Sequence, residues 1–129
     1  MEIFKIITLA LSGSLLLFVG IMRLSNPVKT YLKNSGIKLE KDTNLLNEMR
    51  GVSGVMLLGG IIILLGIIVS KLTFTSFVVA ILIFLGFGIG RVLSIKLDGK
   101  PNKLIIQGLI SEFVLAILNI ICLISQTVL

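Results

Sequence analysis

The sequence predicts an all-α integral membrane protein, an antiparallel four-helix transmembrane bundle, on three observations. Of its 129 residues, 56% are hydrophobic and 14% charged, with a mean hydropathy of +1.14, whereas soluble domains hold about 45–50% apolar residues. Four apolar stretches reach the roughly 20 residues that a helix rising 1.5 Å per residue needs to cross a hydrocarbon core of about 30 Å. The connections between them are too short for a soluble domain, the longest being 23–50. Open sheets would leave backbone groups unsatisfied in lipid and closed barrels need many alternating strands, so the stretches read as helices.

The first span covers 3–22 and is broken only by Lys5, placed where a long side chain reaches the headgroups. The opening MEIFK is weakly basic and no A-x-A site follows the apolar run, so the segment reads as a retained span and not as a signal peptide. The connection 23–50 mixes Pro27, Gly36 and charges with isolated Val28, Tyr31, Leu32, Ile37 and Leu39, which predicts an interfacial loop. Asp42 or Thr43 suits an N-cap, after which NLLNEMRGVSG continues as helix into the second span, 51–69. Residues 71–73 leave room only for a hairpin into the third span, 74–95, and LDGKPNK turns the chain into the fourth, 104–125. The whole chain, 1–129, reads as one transmembrane domain crossing up, down, up, down.

Twelve Lys and Arg against six Asp and Glu give a net charge of +6. Beside long apolar runs, basic residues signal membrane topology before they signal nucleic acid, which is not an expected partner. Ten of the twelve (Arg23, Lys29, Lys33, Lys38, Lys41, Arg50, Arg91, Lys96, Lys100, Lys103) fall in or beside two connections, and only Lys5 and Lys71 fall on the other side. Basic loops are retained in the cytoplasm, so the expectation is a multi-pass inner-membrane protein with loops 23–50 and 96–103 cytoplasmic and both termini outside. His is absent and Cys122 is the single cysteine, which excludes intrachain disulfides, His-based catalysis and a clustered Cys/His metal site. Met22, Met49 and Met56 are too scattered for copper. GFGIG lacks the spacing and the strand-turn-helix setting of a dinucleotide site. No metal or cofactor is expected.

Glu112 lies about 12 Å into the last span at 1.5 Å per residue, where an ionisable group costs about 2.5–3.5 kcal/mol and needs a partner or water. Gly108, Glu112, Ala116 and Asn119 share its helix face. Arg91, two turns back from the turn at Asp98, is the natural partner. Phe84, Phe87, Arg91, Ser94 and Asp98 form one face of the third span, with Gly86 and Gly90 beside it as a small-xxx-small pair for close helix approach. Gly13 and Gly20 in the first span and Gly51, Gly54, Gly59, Gly60 and Gly66 in the second also read as packing contacts. At the same membrane face, Arg23, Asn47, Arg50 and Arg91, opposed by Glu48, Asp98 and Glu112, would ring a polar cup. Arginine forks suit carboxylates and phosphates. The candidate ligand-binding residues are therefore Arg23, Asn47, Arg50, Arg91, Ser94, Asp98 and Glu112. A structural role stands beside this one: arginines at span ends snorkel, and one Arg–Glu pair locks two helices.

Three features together, NLLNEMRGVSGVMLLGG opening the second span, GIGRVLSIKLDGKP closing the third and a Glu early in the last, resemble the bacterial domain-of-unknown-function 4345 family. The resemblance runs from Arg23 to about Asn119 and implies a small four-span membrane protein. It marks Arg23, Asn47, Arg50, Gly51 and Arg91 as recurrent, and after them Ser94, Asp98, Gly99, Pro101 and Glu112. It implies no activity. A looser similarity of layout to DoxX-like proteins brings no motif with it.

The function expected first is a ligand-binding or accessory protein whose cup holds an anionic lipid or metabolite, or whose glycine faces dock a membrane partner or a second copy. A proton-coupled transporter using Glu112 is the alternative, opposed by the carboxylate's place in the last span and by the ten-to-two charge bias. A membrane enzyme acting on a lipid-like substrate through Glu112 or Asp98 comes third, since the sequence offers no evident nucleophile.

Overall fold

A computed structural model describes residues 2–128 in the order α1 (Ile3–Ser25), α2 (Pro27–Ser35), α3 (Thr43–Ile68), a single 3-10 turn (Ser70–Leu72), α4 (Thr73–Asp98) and α5 (Lys103–Val128). Met1 and Leu129, the ends of the domain expected over 1–129, lie outside the described residues. Helices α1, α3 and α5, and α4 with the turn before it, are each long and apolar enough to cross a membrane, and no strand occurs among the described residues. The chain is a multi-pass, all-α membrane protein.

The helices outrun the apolar stretches because their ends are set by capping groups. The Asp42 side chain accepts from the Leu45 N–H at 3.3 Å, so α3 begins well ahead of Gly51. Gly99, at φ +100°, ends α4 and donates its N–H to the Ile95 carbonyl. Asn102 then accepts from the Ile105 N–H at 3.0 Å to start α5.

The interfacial connection contains a helix where a loop was expected. Asn26 accepts from the Lys29 N–H, Pro27 opens α2, and Gly36 at φ +65° closes it. Two hydrogen bonds tie this short helix across the bundle: the Thr30 hydroxyl donates to the Met22 carbonyl of α1 at 2.9 Å, and the Asn102 amide donates to the Ser35 carbonyl at 2.8 Å.

Between apolar helices in lipid, close packing and hydrogen bonds replace the hydrophobic effect as the source of association. On α1 and α3 this means glycine: a Cβ at Gly60 would sit 2.7 Å from Leu17 N, and one at Gly20 would sit 2.8 Å from Leu57 N. Positions rising along α1 meet positions falling along α3, Gly13 against Gly60 and Leu64, Gly20 against Ser53 and Leu57. Helices α3 and α4 are joined by Gly59 against Ile83, by Ser76 donating to the Ile62 carbonyl at 2.7 Å and by Thr73 donating to the Gly66 carbonyl at 2.8 Å. Gly88 receives the Phe113 ring of α5. Leu9, Leu16, Ile63, Phe77, Phe84 and Ala116 fill the centre.

Two expectations about packing are corrected. Gly86 and Gly90, and likewise Gly51 and Gly54, have nothing within 4 Å of where a Cβ would stand, because the neighbouring helix meets α4 at Gly88 and α3 at Gly59 and Gly60. Lys5 does not reach out to headgroups: it is buried, with Nζ donating to Gln126 Oε1 of α5 at 3.1 Å.

Candidate functional site

The charged end of the bundle is assembled by α2. Its contacts to Met22 and Asn102 bring connection 26–42 and turn 99–102 to the same end, which gathers the basic segments. There α1 and α5 part, and a cleft of about 480 Å³ opens between them, within the range of small-molecule sites. Leu15, Leu16, Phe18 and Val19 of α1, Met56 of α3 and Phe84 and Phe87 of α4 give it apolar walls. Its polar end is Arg23, Lys33, Asn34, Ser35, Arg91, Gln107, Ser111 and Glu112. Leu15 and Phe18, on the α1 wall of the cleft, are 40% and 65% exposed, so the cleft is open on that side.

Arg91 Nε donates to Glu112 Oε1 at 2.7 Å, with the side chains 29% and 13% exposed, so the expected pair forms. The two charges approach because α4 and α5 run side by side from Gly88 and Phe113 to this point. A pair in such surroundings neutralises two groups that would each be costly in lipid alone. Only Nε of Arg91 is spent on Glu112, and its Nη groups make no hydrogen bond among the described residues. Arg23 approaches from the end of α1. Its guanidinium lies 4.3 Å from the centre of the Tyr31 ring, a cation–π contact, and Nη2 donates to Ser35 Oγ at 3.4 Å. Its Nε is buried without a hydrogen-bond partner.

Of the seven residues expected to form the cup, the structure brings Arg23, Arg91 and Glu112 into one cavity and leaves four outside it. Arg50 donates from Nη1 to the Leu24 carbonyl, satisfying one of the free carbonyls at the end of α1. Ser94 donates to Asp98 at 3.0 Å on an exposed face of α4, and Asn47 is exposed near the start of α3. Lys33, Gln107 and Ser111 line the cavity without having been singled out. Ser111 and Gln107 flank the Gly108–Glu112 stripe, a signal that helical spacing offers. Lys33 needed α2 to be read as a helix, for which Asn26-Pro27 and Gly36 are the start and stop signals.

A second polar seam joins α1 to α5 beyond the cleft. Asn119, fully buried, donates to Ser12 Oγ at 2.9 Å and to the Leu115 carbonyl at 2.8 Å, and its Oδ1 has no partner among the described residues. With Lys5–Gln126 it holds the two helices together at the end away from the cleft.

No curated protein and no solved structure matches the chain. The family described as "Domain of unknown function (DUF4345)" matches residues 3–123, which include all three cleft residues expected from the sequence. On that match the chain belongs to the DUF4345 family.

Proposed function

We propose that the protein binds the acidic head of an amphiphile from the bilayer, an anionic lipid or a membrane-soluble acidic metabolite, in the cleft between α1 and α5. One observation carries this: Arg23, Lys33 and Arg91, from three different helices, converge with Glu112 on a cavity whose remaining walls are largely apolar and include the exposed Leu15 and Phe18 of a helix long and apolar enough to cross a membrane. Cations exceed the carboxylate in that cavity, so it favours an anion. Charge-assisted hydrogen bonds from guanidinium to carboxylate or phosphate are the strong ones, more so where the surroundings are apolar. Arg23 and Arg91 both keep guanidinium N–H groups free of acceptors among the described residues. The proposed setting is a bacterial inner membrane with this basic end in the cytoplasm, on the ten-to-two distribution of Lys and Arg. Single cysteines replacing Lys38 and Ser70, in a chain with Cys122 replaced, label from opposite sides; labelling of Lys38→Cys from outside reverses the orientation.

The binding test is native mass spectrometry of the gently solubilised full chain, wild type beside Arg23→Gln and Arg91→Gln. A defined acidic adduct, retained by the wild type and lost in both variants, is the expected result. A bare protein throughout, or equal retention in all three, removes the proposal. Glu112 supports a second reading, a proton-coupled carrier, because it is a carboxylate inside a cavity of a membrane helix. The two separate on Glu112→Gln. Proton-coupled uptake is abolished if Glu112 carries the proton, whereas a holding site binds an anion more tightly once the competing carboxylate is gone.

A further inference from the structure

A second cavity lies beside the cleft, near the middle of α3 and α4. It is a groove of about 300 Å³ between α3 and α4, walled by Val52, Val55, Leu82 and Ile83 with Gly86 at its floor. No charged residue lines it. Met56 and Phe87 line both this groove and the cleft, so these two side chains form the wall between them. Neither is branched at Cβ, and Met has three rotatable bonds and a polarizable thioether that adapts to irregular neighbours. Gly86 is exposed and has open space where a Cβ would stand, so the groove reaches the helix backbone there.

We propose that the hydrocarbon chain of the ligand passes between Met56 and Phe87, with the acidic head at Arg23 and Arg91 in the cleft and the chain end in the α3–α4 groove. This rests on the head-binding reading above and names its ligand class: an acid with a phosphate or carboxylate head on a flexible, unbranched chain. Arg91 and Phe87 are one helical turn apart on α4, about 6 Å at 1.5 Å per residue. A chain leaving a head held by Arg91 therefore meets the Met56–Phe87 wall within its first few carbons. Beyond the wall it meets only apolar side chains and Gly86. An apolar gap left unfilled forfeits dispersion contacts along its whole lining, and a hydrocarbon chain restores them without asking for any hydrogen bond.

The test uses the full chain in nanodiscs of zwitterionic lipid, with hexadecyl phosphate carrying a diazirine at the chain terminus and cross-linked peptides mapped by mass spectrometry. The expected label falls on α3 and α4 around Val55 and Leu82. It is displaced by excess plain hexadecyl phosphate but not by inorganic phosphate, and it is lost in Arg91→Gln. Gly86→Leu, whose Cβ meets no atom within 4 Å, puts a side chain into the groove and moves the label out of it. Displacement by inorganic phosphate as effective as by hexadecyl phosphate makes the ligand a free anion and overturns the chain path. A displaceable, Arg91-dependent label on Leu15 and Phe18 of α1 overturns the chain path but leaves head binding standing. Label on α3 and α4 that neither competition nor Arg91→Gln removes is ordinary lipid contact and overturns the proposal. No displaceable label anywhere removes the head-binding reading itself.

Discussion

Helix α1 is joined to α3 and to α5 in different ways. Against α3 it packs backbone to backbone, with Gly13, Gly20 and Gly60 at the contacts and no room for a side chain. Against α5 it is held at one end by Lys5–Gln126 and Ser12–Asn119, and at the other it parts to form the cleft. The first joint depends on shape along its length, the second on a few hydrogen bonds spaced along one seam. In lipid, where helices gain nothing from burying apolar surface against each other, the first joint rests on close packing and the second on interhelical hydrogen bonds. The cleft lies where α1 lacks a glycine-packed neighbour.

The sharpest way to break this contrast is to put a side chain into the glycine seam. Gly60→Val forces atoms onto the Leu17 backbone and costs about 3 kcal/mol, the upper end for overpacking, read as a fall in the thermal midpoint of detergent-solubilised protein. Wild-type stability in that variant would mean that α1 and α3 are not packed as described. Next in size, Glu112→Leu leaves Arg91 without its partner and costs about 2 kcal/mol, less than the 3–5 kcal/mol of a fully buried pair because both side chains are partly exposed. Replacing both, Arg91→Leu with Glu112→Leu, recovers most of that stability while losing the acidic adduct. A double variant that keeps the adduct would reduce the pair to a helix lock. Ser12→Ala removes one interhelical hydrogen bond and costs about 0.6 kcal/mol; a loss several times larger would show the α1–α5 seam to be as demanding as the glycine joint. The smallest effect is expected at Gly54→Ala, which meets nothing and gains up to about 1 kcal/mol of helix propensity.

The legible part of this protein was whatever a single helix or one short turn encodes. Four spans follow from apolar length, the start of α3 follows from Asp42, and the Arg91–Glu112 contact follows from counting depth from the same turn on two successive helices. The α2 helix carried its signals openly in Asn26-Pro27 and Gly36, but a segment mixing charges with scattered apolar residues shows no clear helical period to draw the eye. Arg50 and Asn47 looked like members of the site because both lie at the charged membrane face. Only the fold shows that Arg50 turns to the end of α1 while Arg23 turns toward the cleft.

By itself the sequence determined the class, the number of spans, the end at which charge collects and one ion pair. The tertiary structure decided which helices touch: that Lys5 meets Gln126 across 121 residues, that Gly88 and not Gly86 or Gly90 receives a neighbour, and that Arg23, Lys33 and Arg91 share a cavity. The physical reason lies in the solvent. In water a helix advertises its buried side as an apolar stripe, but helices apolar all round carry no such stripe, and their neighbours are chosen by fit and by a few polar contacts that come together only in three dimensions.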